Sequence, residues 1–334
     1  MPDTERQTGQ RVTIVAQRPG FDELAWVRFL LGDWAGDVID DPDRTLILPY
    51  SLVVSDRPDS LKGKVLAGVR RLGSVGLLHI SDQRYRSRLD AYSSFGWVWR
   101  TYYHSGLADL DLRQIPLGPA TSSPISVEPT AAAVRRPDER LYTWTASLPD
   151  VESRAEVAEA LRQVDGGYEQ QLARGDPAAV DSLYDSVFAP CPAHEGNLES
   201  SRVYEALEAG AIPIVERRRR LDYFHELLGD HPLPTVRLWS EAPRLMAGLL
   251  ADQTRLTSLH RAILGWWTAT KHTLAGSTQA DVQRCFATIL NGVERDGIPL
   301  ERPAPRWRGR VEMMRHRPPG SLLAPARRRG KRRS

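Results

Sequence analysis

The sequence predicts an α/β protein built from two tandem domains with a cleft between them, and three observations predict it. Short apolar runs, rich in β-branched and aromatic residues, alternate with stretches of helical periodicity. The alternation breaks at a segment rich in Pro, Ser, Thr and Ala, Thr121–Arg140, and then starts again. The chain has 334 residues and 37.4 kDa, which gives each half room for a core of its own.

In chain order, Val12–Ala16, Leu46–Val54, Val75–Ile80, Gly96–Tyr103 and Leu112–Leu117 read as buried strands bounded by turn residues. Phe21–Leu31 carries Leu24, Val27, Leu30 and Leu31 at helical spacing, and Asp59–Leu72 reads as a second helix. After the gap, Leu141–Ala146 reads as a strand and Ser153–Gln163 as a helix. Ser186–Cys191 and Ile212–Val215 read as strands flanking a helix at Ser200–Ala209. A short strand follows at Val236–Trp239, then helices near Ala242–Ala251, Arg255–His272 and Gln279–Asn291. The boundaries drawn from this are 1–125 for the first domain, 126–300 for the second and 301–334 for a tail.

Composition narrows the field. Hydrophobic residues make up 41% and charged residues 26%, the balance of a soluble globular chain. No run nears the roughly 20 apolar residues of a membrane span, and the polar start MPDTERQTGQ lacks the apolar core of a secretory signal. Cys191 and Cys285 are too few for a disulfide framework and read as reduced thiols of a cytoplasmic protein. From Glu301 onward twelve Lys and Arg face two acids, a charge of +10, so the net +3 of the whole leaves −7 for residues 1–300. An acidic body argues against a nucleic-acid-binding core. The tail reads as a disordered basic segment suited to an anionic membrane surface or another polyanion, or serving only as a solvated tail.

Several motifs are absent: G-x-G-x-x-G, the Walker A loop and G-x-S-x-G. His225-Glu226 lacks the second histidine of a zincin, and neither cysteine has a C-x-x-C partner. The informative stretch is Ser186–Glu216, SVFAPCPAHEGNLESSRVYEALEAGAIPIVE. A strand ends at Cys191-Pro192, and Glu199, Ser200 and Ser201 offer caps for a helix that stops at Gly210. A helix N-terminus after a strand presents free N–H groups to a phosphate, and Arg202 adds a formal charge there. Glu205 lies one turn along the same face, where a carboxylate accepts hydrogen bonds from two neighbouring sugar hydroxyls. The same residues equally suit an ordinary amphipathic helix with an Arg–Glu surface pair.

SSRVYEALEAGAIPIV resembles the donor-site segment of exostosin-like glycosyltransferases, with Arg202, Tyr204, Glu205, Ala206, Leu207, Glu208, Gly210 and Pro213 at the matching places. LLHISD (Leu77–Asp82), WVWRTYYH (Trp97–His104), IPLG (Ile115–Gly118) and LYTWTASLPDVESR (Leu141–Arg154) resemble further family segments in the expected order, over roughly residues 75–216. Within the family the likeness runs toward the ribitol-xylosyltransferase-like branch. The resemblance implies a GT-B fold, two Rossmann-like domains facing across a cleft, with an acceptor domain first and a nucleotide-sugar domain second. Gln83 departs from the family pattern, which favours an acid there, and the loop Ala193–Leu198 is peculiar to this chain.

That resemblance implies sugar transfer from a nucleotide-sugar, a UDP-sugar favoured, to a glycan or polyol-phosphate acceptor, inverting and with no metal or other cofactor. Donor-binding residues are then Arg100, Ser147, Arg154, Glu199, Ser200, Ser201, Arg202, Tyr204 and Glu205, whose cations and helix N-terminus would hold the leaving pyrophosphate. Asp82, at a strand end of the first domain, is the first choice for the base, with Asp22 and Glu23 behind it. Rival readings are weaker. Asp41-Pro42-Asp43 and Asp109-Leu110-Asp111 spell the metal-holding D-x-D of other glycosyltransferases. His79 and His104 are acid–base candidates or hydrogen-bonded strand histidines. Trp266-Trp267 read as core packing or an acceptor platform, and Arg217–Arg220 as a solvated run or an anion contact. A fucosyltransferase-like specificity and a non-catalytic module binding a polyanion or partner are the alternatives. A cytoplasmic location, peripheral at the membrane, is expected.

Overall fold

The computed structural model describes residues 11–18, 20–41, 48–87, 89–108, 110–120, 125–147, 155–170, 177–193, 197–218, 221–290 and 315. The first sheet is wholly parallel, in the order β2-β1-β3-β4-β5-β6. Its strands are β1 (Val12–Ala16), β2 (Ala35–Asp40), β3 (Ser51–Ser55), β4 (Gly76–His79), β5 (Trp97–Arg100) and β6 (Arg113–Gln114). Every residue of β3, β4 and β5 is buried, because helices and loops cover both faces, which explains their unbroken apolar runs. β2 escaped the sequence reading because this edge strand, AGDVID, is half exposed and has no apolar run. Leu46–Val54 shortens to β3, with 42–47 outside the described residues.

Helix α1 (Leu24–Leu31) buries Trp26, Val27, Leu30 and Leu31, and α2 (Gly63–Leu72) carries β3 over to β4. Gly118 in the IPLG turn has φ +75°, and a Cβ there would come within 2.3 Å of the Trp26 ring. Glycine is therefore required for Trp26 to lie flat and donate to the Pro116 carbonyl at 3.0 Å.

The second sheet is also wholly parallel, in the order β11-β10-β9-β7-β8. It consists of β7 (Tyr142–Ser147), β8 (Gly167–Gln170), β9 (Ser186–Cys191), β10 (Ile212–Glu216) and β11 (Thr235–Val236). α3 (Ala155–Leu161), α4 (Pro177–Tyr184), α5 (Ser201–Ala209) and α6 (Tyr223–Leu228) connect them. The reading had no place for β8, α4 and α6, whose short and mixed sequences lack a clear period. α5 stops at Gly210, φ +70°, where a Cβ would strike the Ala133 carbonyl at 2.0 Å. Of the gap segment, 121–124 lie outside the described residues. Arg140 at its end buries its guanidinium among carbonyls of Ala133, Leu183, Tyr184, Ser186 and Ala209.

Two Rossmann-like domains are thus present, as the GT-B class requires. α7 (Ala242–Leu250) leads into α8 (Gln253–Leu290), which corrects the reading of two separate helices. The helix continues through the small residues Ala275–Thr278, where the Ser277 and Thr278 hydroxyls turn back to the Leu274 carbonyl. α8 starts on the second domain and ends on the first. Trp267 lies against Tyr204 and stacks on Trp26, Thr278 donates to the Leu30 carbonyl, and Asp281 holds Arg113 and Trp99. Trp267 is accordingly core between domains, and the larger hydrophobic core runs through both. Among the described residues no helix is long and apolar enough to cross a membrane. The tail 301–334 lies outside the described residues except Arg315, which pairs with Glu226 at 2.6 Å.

Candidate functional site

Both sheets reverse strand order once, between β1 and β3 and between β7 and β9. In open parallel sheets a ligand crevice forms beyond the strand C-termini at such a reversal. The loops that follow β4, β5 and β6 in the first domain meet the loop between β9 and α5 and the start of α6 in the second, so the two C-terminal sheet edges face each other.

At the second reversal, Cys191 closes β9 and Ser200, in extended conformation, precedes the first turn of α5. In the first turn of α5 the Val203 N–H donates to the Ser200 carbonyl at 3.2 Å, and this end carries the helix's positive pole. Arg202 and Glu205 project from this turn, with Nη1 to Oε2 at 4.0 Å and side chains only 13% and 11% exposed. Burial lowers the Arg202 pKa and pushes the Cys191 thiol up to about 12, so the thiol stays neutral beneath them. A cation, a helix pole and a carboxylate thus meet at one crevice wall. Such a set has the chemistry to accept an anion and a pair of hydroxyls. Ser201 lies on the same turn, half-buried. Ser147 closes the opposite strand β7, but its side chain and all of Arg154 lie outside the described residues.

The other expected donor residues do not reach this crevice. Glu199 is 1% exposed. Its Oε1 accepts from the Leu117 N–H at 2.7 Å and the Tyr204 hydroxyl at 2.5 Å, and its Oε2 accepts from the Tyr223 hydroxyl. Glu199 and Tyr204 thus join an interdomain network. Arg100 is also 1% exposed. Its Nη2 donates to Asp82 Oδ2 at 2.9 Å, and its Nη1 reaches the Tyr92 hydroxyl and His79 Nδ1, both at 3.0 Å. Its partners bind it to the first sheet's C-terminal edge.

Asp82 is likewise held by protein donors. Its Oδ1 accepts from the Arg86 and Ser87 N–H groups and its Oδ2 from Arg100. Burial raises its pKa, but the Arg100 guanidinium outweighs that and holds it below the usual range, which makes a weak base. His79 beside it is driven down to about 3 by burial and then by Arg100, so it is neutral. Glu23 is buried at the start of α1, beside the first sheet's own reversal, with Asp22 half-buried next to it.

Backbone strain gathers at the facing edge. Ser81, Tyr85 and Tyr102, on the loops after β4 and β5, have φ of 62°, 50° and 61°. Non-glycine residues hold such angles only where their surroundings impose them. The sequence reading missed Tyr85, Tyr103, Asn197 and Tyr223, which tie these loops across the cleft; Tyr103 sat unremarked in WVWRTYYH, and Tyr223 lies on a helix that was not foreseen. His104 accepts the Gly106 N–H as a cap. Of the D-x-D candidates Asp41 is buried, while Asp43 and Asp109 lie outside the described residues. Arg218 pairs with Glu216 past β10, and Arg219 and Arg220 lie outside the described residues. Among the described residues no group of three or more His, Cys, Asp or Glu is placed to hold a metal.

No protein-family model matches this sequence, and no curated protein matches it. Solved structures do. The DNA-modifying β-glucosyltransferase, crystallised with and without uridine diphosphoglucose, is 10% identical over 82% of this chain and 99% of its own, with a TM-score of 0.47. The HepE protein of Anabaena, in complex with UDP, is 10% identical over 84% of this chain and 100% of its own, also at 0.47. The pneumococcal O-GlcNAc transferase GtfA, in complex with UDP and GlcNAc, is 11% identical over 74% of this chain and 57% of its own, at 0.37. At these scores the superpositions carry no weight for this chain's chemistry.

Proposed function

We propose that this chain is a glycosyltransferase that moves a sugar from a nucleotide-sugar, a UDP-sugar favoured, onto a hydroxyl of a glycan or polyol-phosphate acceptor. The observation that carries the reading is the convergence of Arg202, Glu205 and the N-terminus of α5 at the strand reversal of the second sheet. In this reading the acceptor oxygen attacks the anomeric carbon from the face opposite the nucleotide, and the nucleoside diphosphate departs with inversion. The negative charge growing on the pyrophosphate falls to Arg202 and the α5 N-terminus, and Arg154 and Ser147 are assigned to the same pyrophosphate. Glu205 takes two hydrogen bonds from the ribose hydroxyls. No metal is assigned a part, since the fixed cation and helix pole serve the same end. With Asp82 tied to Arg100, the acceptor's proton goes to Asp22 or Glu23 at the first strand reversal. The basic tail is assigned to an anionic surface, peripheral membrane included.

The experiment is thermal unfolding of the full chain against a panel of nucleotides and nucleotide-sugars, with and without EDTA. A ligand at one hundred times its dissociation constant adds about 2.7 kcal/mol of stability. A shift with one UDP-sugar, unchanged by EDTA and lost in Glu205→Ala, supports the reading. No shift with any nucleotide overturns it in favour of a module without catalysis.

A further inference from the structure

Glu199 immediately precedes the Ser200 cap of α5, yet its carboxylate crosses to the other domain. It accepts the Leu117 N–H, just past β6, and the Tyr102 N–H, just past β5. The hydroxyls of Tyr204 on α5 and Tyr223 on α6 close its other sides. Tyr223 goes further and accepts the Tyr103 N–H at 2.8 Å. A second strand of the same network runs from the Glu199 N–H to Asn197 Oδ1, from Asn197 Nδ2 to the Tyr85 hydroxyl, and from that hydroxyl to the Tyr103 carbonyl. Every one of these donors is neutral. The network therefore holds one carboxylate with dipoles drawn from both domains, and it closes around Tyr85 and Tyr102, two of the residues with positive φ.

We propose that Glu199 is a positioning residue, a joint that fixes the N-terminus of α5 at one distance from the loops after β5 and β6. Packing alone tolerates small slides between domains, whereas a carboxylate with four directed donors does not. Glutamine has the same shape but must turn an NH2 toward one of those donors, so it cannot replace glutamate here. The part the joint plays in sugar transfer rests on the function proposed above; the joint itself does not.

The test uses the full chain as wild type, Glu199→Gln and Tyr223→Phe. Amide hydrogen exchange is read at Leu117, Tyr102 and Tyr103, with Leu77 and Val53 in the first sheet as internal controls. In Glu199→Gln the three cleft amides exchange about tenfold faster or more while the controls hold, and Tyr223→Phe releases Tyr103 above all. UDP affinity, measured by calorimetry, stays within about twofold in both variants, and the rate of UDP release from a UDP-sugar falls about tenfold at unchanged KM. Unchanged cleft exchange together with lost UDP binding in Glu199→Gln overturns the proposal and makes Glu199 a donor ligand. If Glu199→Gln does not fold, Tyr223→Phe decides alone: unchanged protection of Tyr103 overturns the joint. Wild type that binds no UDP while the exchange pattern appears as stated leaves the joint standing and removes only the transferase reading.

Discussion

Asp82 and Glu199 are both buried carboxylates on strand-end loops, one in each domain, and each is surrounded by hydrogen-bond donors. Their ionisation nevertheless moves in opposite directions. Burial raises both, but Asp82 sits 2.9 Å from a guanidinium and ends below the usual range. Glu199 has only tyrosine hydroxyls and backbone N–H groups, and burial keeps it above. The number of donors does not decide whether a buried acid is comfortable; a formal opposite charge does. The first domain's edge is thus braced by an ion pair internal to it, and the cleft by a strained arrangement of dipoles.

The comparison breaks most readily at Arg100. In Arg100→Ala the Asp82 carboxylate keeps its two N–H donors and loses its cation, while Tyr92 and His79 lose a partner too. Breaking a buried pair from one side costs about 3–5 kcal/mol. Denaturant unfolding of the variant should show a loss of that order, and a loss under about 1 kcal/mol would mean that Asp82 does not depend on its cation. Glu199→Gln should cost less at neutral pH, about 1–3 kcal/mol for donors left facing a donor. Removing an uncompensated buried charge offsets part of that.

The pH dependence of stability sharpens the same contrast. Asp82 has a folded pKa below its ordinary 3.8, so its contribution is complete above pH 3.8 and is lost as pH falls through the folded value. Glu199 has a folded pKa above its ordinary 4.5, so the folded state binds its proton first. Between 4.5 and the folded value stability therefore rises as pH falls. Unfolding followed in acid should show this gain before the Asp82 loss. Glu199→Gln removes the gain and leaves the loss; Asp82→Asn does the reverse.

Legibility in the sequence followed how local each feature is. β9, α5 and its Gly210 stop were readable because a strand, a cap and a positive-φ glycine are each decided within a few residues. The edge strands β2 and β8 carry too little apolar character to show a period. Arg100 and Asp82 were noticed, but their mutual contact was not, because strand pairing of β4 with β5 sets it. Glu199 was the hardest case: two of its four partners are backbone N–H groups of the other domain, which no side-chain pattern announces.

The smallest change in stability and the clearest in binding belong to the third acid, Glu205. Its carboxylate lies 4.0 Å from the Arg202 guanidinium on the same stretch of α5. Glu205→Ala should alter unfolding in the absence of ligand by about 1 kcal/mol, in the range of ordinary substitutions. Arg202→Lys keeps the charge but replaces a planar fork by a point donor. Losing one charge-assisted hydrogen bond to phosphate costs about 1.5–3 kcal/mol, tenfold or more in affinity for UDP. Calorimetry on both variants separates the two halves of the crevice. Arg202→Lys should weaken UDP and inorganic pyrophosphate alike, whereas Glu205→Ala should weaken UDP and leave pyrophosphate unchanged, because only the nucleoside brings hydroxyls to the carboxylate.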